Sequence, residues 1–139
     1  MTTANDIAWA NLNKESIRHA SEGNFGLYRN MRFEMAEFLA KEKRYKDALE
    51  MYLEVCYLDL NGPNNSTKFG NPAFDATMGF LAPGVIKRIL ISAKRINFTI
   101  AQIQNLFINR NIRIYKAMKL PLTPEYCWKK ICKVLGQQF

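Results

Sequence analysis

The apolar positions of this chain recur at intervals of three and four residues almost from end to end, and no strand-length window alternates strictly between apolar and polar. Intervals of three and four are the spacing of one face of an α-helix, whereas a strand repeats every two residues, so the pattern restricts the chain to an all-α fold of about six helices. The first is expected from Asn5 or Asp6, either able to cap, through Ile7, Trp9, Ala10, Leu12 and Ile17 to about Ala20. Residues 21–26, with two glycines and an asparagine, read as a stop and a turn. A second helix over about 27–41 carries Met31, Met35, Phe38 and Leu39, and a third over about 45–60 carries Ala48, Leu49, Tyr52, Val55, Cys56 and Leu60.

Residues 61–82 are rich in Gly, Pro and Asn and are expected to form a long loop; loops beyond about 12–15 residues are uncommon in compact domains. Phe69, Phe74 and Phe80 within it would anchor it to the body or grip a ligand. Pro83, with its fixed φ, suits the first turn of a fourth helix with Val85, Ile86, Ile89, Leu90 and Ala93 inward. Thr99 followed by Gln102 is a capping-box pattern ahead of Ile100, Ile103, Leu106, Phe107, Ile114 and Met118. Thr123 with Pro124 opens the last helix, in which Trp128, Ile131, Cys132 and Leu135 are apolar. With 139 residues, 48% of them hydrophobic, one helical domain over 1–139 is the expected organisation.

Several function classes find no support. The longest weakly polar run, 78–86, falls short of the ~20 residues of a membrane span, and the first residues show no basic leader followed by an apolar segment, so a cytoplasmic protein without a membrane contact is expected. Cys56, Cys127 and Cys132 form an odd set with no redox or zinc spacing and are expected to be free, buried thiols. His19 is the single histidine and has no Ser, Cys or carboxylate at a triad or metal spacing. Glu34, Glu37, Glu54 and Asp59 are expected to be solvated charges on helix faces rather than paired catalytic carboxylates. No glycine loop has the lysine context of a phosphate cradle. Neither catalysis, a cofactor nor a bound metal is expected.

Within residues 29–60, Ala36 and Ala48 stand twelve apart, Leu39 follows the first by three, Tyr45 precedes the second by three, and Tyr52 and Val55 continue the spacing. Two antiparallel helices cross closely only where both side chains are small and large ones flank the crossing. In this spacing, and most closely in KRYKDALEMYLEVCYLDLN, the segment resembles one tetratricopeptide repeat, which implies an antiparallel helical hairpin. Arg32 departs from the pattern by standing where the repeat usually has a large aromatic, Leu39 stands where tyrosine is common, and Leu60 where a proline commonly ends the second helix. A lone hairpin cannot bury both faces, so flanking helices must complete the core. The phrases GNFGLYRNMRFEMAEFLAKEKRYKDALEMYLEVCYLDLNGPNN and FLAPGVIKRI also resemble a helical region of phage and prophage proteins of Gram-positive bacteria, some of them similar to longer chains with a SAP-type DNA-binding domain ahead of it.

Charge divides the chain. Residues 1–60 hold eight basic and ten acidic residues, a net −2, whereas residues 61–139 hold twelve basic residues opposed only by Asp75 and Glu125, a net +10. Lys87, Arg88, Lys94 and Arg95 recur at seven residues and are expected on one helix face; Arg110, Arg113 and Lys116, with Lys119, drift around the next, and Lys129, Lys130 and Lys133 follow. These residues form the candidate anion- or partner-binding surface, a positive field able to steer acidic or phosphate-rich partners. The expected function is a non-catalytic interaction or scaffold module, phage- or prophage-related, acting through a protein partner or self-association of the basic half with the acidic half of a twin. The alternative is a nucleic-acid-binding accessory protein using the same basic half, with Tyr115 and Tyr126 able to stack on bases.

Overall fold

In the computed structural model, which describes residues 4–67 and 81–138, one helix is buried on all sides. This helix, α3 (Tyr45–Thr67), keeps only Glu50 and Asp59 partly exposed between Ala48 and Asn61. A helix apolar all round must be covered by others. Here α2 (Phe25–Lys41), α4 (Pro83–Arg95), α5 (Ile100–Met118) and α6 (Pro124–Gln138) pack on it, and α1 (Ala4–Ser21) packs on α2. The described residues hold six helices and no strand, as the periodicity predicts.

Side-chain pairs fix the directions. Arg29 meets Asp59, Arg32 meets Glu54 and Glu37 meets Tyr52, so α2 and α3 run antiparallel. Ala36 and Ala48 are both fully buried in this hairpin, with Leu39, Tyr52 and Val55 buried around them. Arg110 meets Glu54 and the Phe107 ring meets Tyr57 edge-on at 6.0 Å, so α5 is likewise antiparallel to α3. Phe107 then passes the contact on to Trp128 of α6, 5.5 Å away.

Helix ends follow local chemistry. Thr99 accepts from the backbone of Gln102 at 3.2 Å while the Gln102 side chain accepts from the Thr99 N–H at 2.8 Å, the full capping box. Thr123 accepts from the N–H of Tyr126 at the start of α6. Among the described residues four helices end on a residue with positive φ, which turns the chain back so that its N–H groups reach the last carbonyls. Only α1 uses a glycine there, Gly23 at φ 80°; Lys43, Asn97 and Lys119 adopt φ 61°, 57° and 52° without one.

Two expectations are corrected. α3 does not end at Leu60 but continues to Thr67, so residues 61–67 of the loop expected over 61–82 are helical. The reason lies at Asn61, which is not a turn residue: it is fully buried, donates to the Tyr57 carbonyl at 3.0 Å and accepts from the Leu122 N–H at 2.9 Å. Phe69, Phe74 and Phe80 lie outside the described residues. On α1 the expected apolar set is only partly inward: Trp9, Leu12 and Ala20 pack against the core. Ile7 and Ile17 are 52% and 56% exposed, whereas Ser16 is fully buried, because this face must supply oxygen acceptors to Arg32 of α2.

Overpacking a closely crossed pair of helices is destabilising. Ala48→Trp is therefore expected to lower unfolding stability by about 3 kcal/mol or more, read from a denaturant melt. An unchanged midpoint would contradict a close α2–α3 crossing.

Candidate partner-binding surface

The basic half is sorted by a carboxylate of the acidic half. Glu54, in the middle of α3, has no exposed surface. Its Oε1 accepts from the Tyr28 hydroxyl at 2.8 Å and from Arg32 Nε at 3.0 Å; its Oε2 accepts from Arg32 Nη2 at 3.0 Å and from Arg110 Nη2 and Nε at 3.0 and 3.2 Å. Arg32 is itself buried and extends the network to α1 by donating to Asn13 Oδ1 at 2.7 Å and Ser16 Oγ at 3.3 Å. Arg110 also reaches Glu50 at 3.4 Å. Burial alone would raise the pKa of Glu54, but the Arg32 and Arg110 charges and the hydrogen bonds outweigh it and hold the carboxyl below its ordinary value of 4.5. The same site pushes the Tyr28 phenol up, through burial first and the Glu54 charge second.

Two of the candidate surface residues are thus committed elsewhere. Arg110 turns into the Glu54 network, because that buried carboxylate needs a second cation. Arg88 does not share the solvent face of Lys87 and Lys94: it donates to Glu37 of α2 and stacks on Phe33, 5.1 Å from the ring centroid, with Arg29 near the same ring at 5.3 Å. Glu37 also accepts from the Tyr52 hydroxyl at 2.6 Å. The expectation of solvated carboxylates is corrected with them, since Glu54 is buried, Glu37 is paired with Arg88, and Asp59 forms a two-pronged pair with Arg29 at 2.7 and 2.8 Å. Glu34 is exposed, as expected.

The other candidates remain outward. Lys87, Lys94 and Arg95 on α4, Arg113 and Lys116 on α5, and Lys129, Lys130 and Lys133 on α6 are exposed, and none is in an ion pair among the described residues. Arg95 lies over the Tyr45 ring at 5.6 Å and Lys130 over Tyr126 at 5.2 Å. α4 and α6 are neighbours, with a groove of 360 Å³ lined by Leu81, Pro83, Ile86, Lys87, Leu90 and Val134. A cleft of 320 Å³ over α2, α3 and α4 contains Glu37 and Arg88, with Tyr45, Lys87 and Ile91 on its walls. A wider hollow of 660 Å³ lies along α6, lined by Tyr126, Trp128, Lys129, Lys130, Cys132 and Lys133.

The attitude of α6 is set from α3. The Tyr57 hydroxyl donates to the Leu122 carbonyl at 2.6 Å while Asn61 accepts from the Leu122 N–H, so both polar groups of one residue in the α5–α6 turn are held. Trp128, Ile131 and Leu135 then go into the core and the lysines are left outside. Tyr115 is partly buried and packs on the core, so of the two tyrosines considered for stacking only Tyr126, 47% exposed, is open.

Burial deactivates two of the three thiols. Cys56, Cys127 and Cys132 are free; Cys56 and Cys127 are buried, but Cys132, expected to be buried too, is partly exposed, and burial pushes the Cys127 thiol up to about 12 although Lys130 opposes the shift. Cys56 is pushed well up by burial as well. Among the described residues no three His, Cys, Asp or Glu side chains are grouped to hold a metal ion, and no helix is long and apolar enough to cross a membrane. No family model, curated protein or solved structure matches the chain.

Removing the charge of Glu54 leaves two arginines facing a neutral amide. Glu54→Gln is expected to cost about 3–5 kcal/mol in a denaturant melt, and a loss below about 1 kcal/mol would contradict the network. The pH dependence has a fixed sign. A carboxyl held below its ordinary value stabilises the fold fully above about 4.5, and that stabilisation is lost as pH falls through the depressed folded value. Acid titration of the wild type should show this loss, and the Glu54→Gln variant should lack that part of it.

Proposed function

We propose that this chain is a non-catalytic interaction module of the phage or prophage type, in which a rigid helical scaffold presents cations of α4 and α6 to an acidic partner outside the chain. The observation that carries this reading is where the acidic half directs its carboxylates. Glu37 pairs with Arg88, and Glu50 and Glu54 pair with Arg110, all within one chain. Carboxylates occupied in this way are not free to receive the basic half of a second copy. An external acidic partner therefore accounts for the exposed lysines better than head-to-tail self-association does.

The scaffold supports the reading from the other side. Buried ion pairs, antiparallel helices and a clamped α5–α6 turn hold the cations in fixed positions. The hairpin resembling a tetratricopeptide repeat supplies part of that rigidity.

Sedimentation velocity at high protein concentration and low salt is expected to show a monomer, together with polyglutamate binding that Lys87→Glu, Lys94→Glu, Lys129→Glu and Lys133→Glu combined abolish. A dimer that dissociates on the same four substitutions or on adding salt would overturn the external-partner reading.

A further inference from the structure

We infer that the outward stripe of α6 is a binding site for single-stranded nucleic acid. The inference rests on the reading of an external acidic partner and names its chemistry. Tyr126, Lys129, Lys130 and Lys133 stand at intervals of three, four and seven residues, so they form one line along the solvent face of α6, opposite the buried Trp128, Ile131 and Leu135. From Lys129 to Lys133 the helix rises about 6 Å, room for roughly two phosphates of one strand.

The three concavities differ in what they can accept. The cleft containing Arg88 also contains the Glu37 carboxylate, which repels phosphate and already occupies the guanidinium. The groove between α4 and α6 is apolar apart from Lys87. The α6 hollow, at 660 Å³, combines three ammonium groups with Tyr126, Trp128 and Cys132, and its described lining has no carboxylate. Cations beside an aromatic ring match a strand that offers phosphates and unpaired bases together. An acidic peptide would use the lysines and leave Tyr126 without a role. Tyr126 is 47% exposed, and the Lys130 ammonium lies over its ring, 5.2 Å from the centroid, so the charge and the aromatic group are presented together. A duplex keeps its bases stacked on each other, so the exposed ring favours the single strand.

The test is fluorescence anisotropy of a labelled oligothymidylate with the full chain. Binding is expected, weakening about sevenfold between about 50 and 200 mM salt if two neutralised phosphates release counterions. Combined Lys129→Glu, Lys130→Glu and Lys133→Glu should weaken it more than tenfold and flatten the salt dependence. Tyr126→Ala should weaken it about tenfold with the salt dependence kept, and Tyr126→Phe should restore it. The combined Lys41→Glu, Lys43→Glu and Lys46→Glu variant, with the same change in net charge on exposed residues of the acidic half, should bind as the wild type does. Equal loss in that control, no loss in the α6 variant, or tighter binding of a duplex of the same length would overturn the inference. Polyglutamate binding without oligothymidylate binding would overturn it while leaving the acidic-partner reading standing; binding of neither would overturn both.

Discussion

A carboxylate with no exposed surface, held in the middle of a helix that other helices cover, decides much of the rest of this molecule. Stranded there alone, Glu54 would be intolerable, because taking an ion out of water costs several kcal/mol even after relaxation. The fold answers with two guanidinium groups and a phenol, drawn from α2 and α5, and the outer edge of Arg32 in turn draws Asn13 and Ser16 from α1. Four helices thus meet at one charge. Hydrophobic burial makes α3 central, but the carboxylate specifies which faces of α1, α2 and α5 are turned to the interior.

The same network explains the distribution of surface charge. A count along the chain gives a mildly acidic half and a strongly basic one, and three dimensions connect them. Arg88 and Arg110 cross from the basic half to carboxylates of the acidic half, which leaves the lysines of α4, α5 and α6 with arginines 95 and 113 as the outward charge. Arginine is the residue for such inward pairs, since its planar fork meets a carboxylate with two N–H groups, whereas lysine is a hydrated point charge suited to the surface. The division between paired arginines and exposed lysines on α4, α5 and α6 follows that difference, with Arg95 and Arg113 as the exceptions.

Much of the architecture was legible in the sequence because it depends on local order. Thr99 and Gln102 cap α5 from three residues apart, and Val85, Ile86, Ile89 and Ala93 mark the buried face of α4 within three turns. Arg110 and Glu54 are 56 residues apart and Arg88 and Glu37 are 51 apart, so no window around the cations shows their partners. One signal for the network was present: Glu54 interrupts the apolar run from Met51 to Leu58, and a charge in a helix apolar on every side requires a partner. Arg32, where the tetratricopeptide pattern has a large aromatic, was its counterpart. Ile7 and Ile17 mislead because helical spacing shows which residues share a face, not which face a neighbour will cover. At Asn61 the composition of a turn conceals an amide buried against Leu122.

Rigidity connects this interior to the proposed surface. Tyr57 and Asn61, one and two turns beyond Glu54 on α3, hold Leu122 and so orient α6. Whether the interior charge joins the helices as described is tested most directly by a double-mutant cycle on Glu54→Leu and Arg110→Leu, read from denaturant melts of the wild type, the two single variants and the double variant. The account predicts that the double variant loses less than the sum of the singles, by a coupling of about 1–3 kcal/mol, because each single substitution strands a charge that the double removes. Losses that simply add would contradict it.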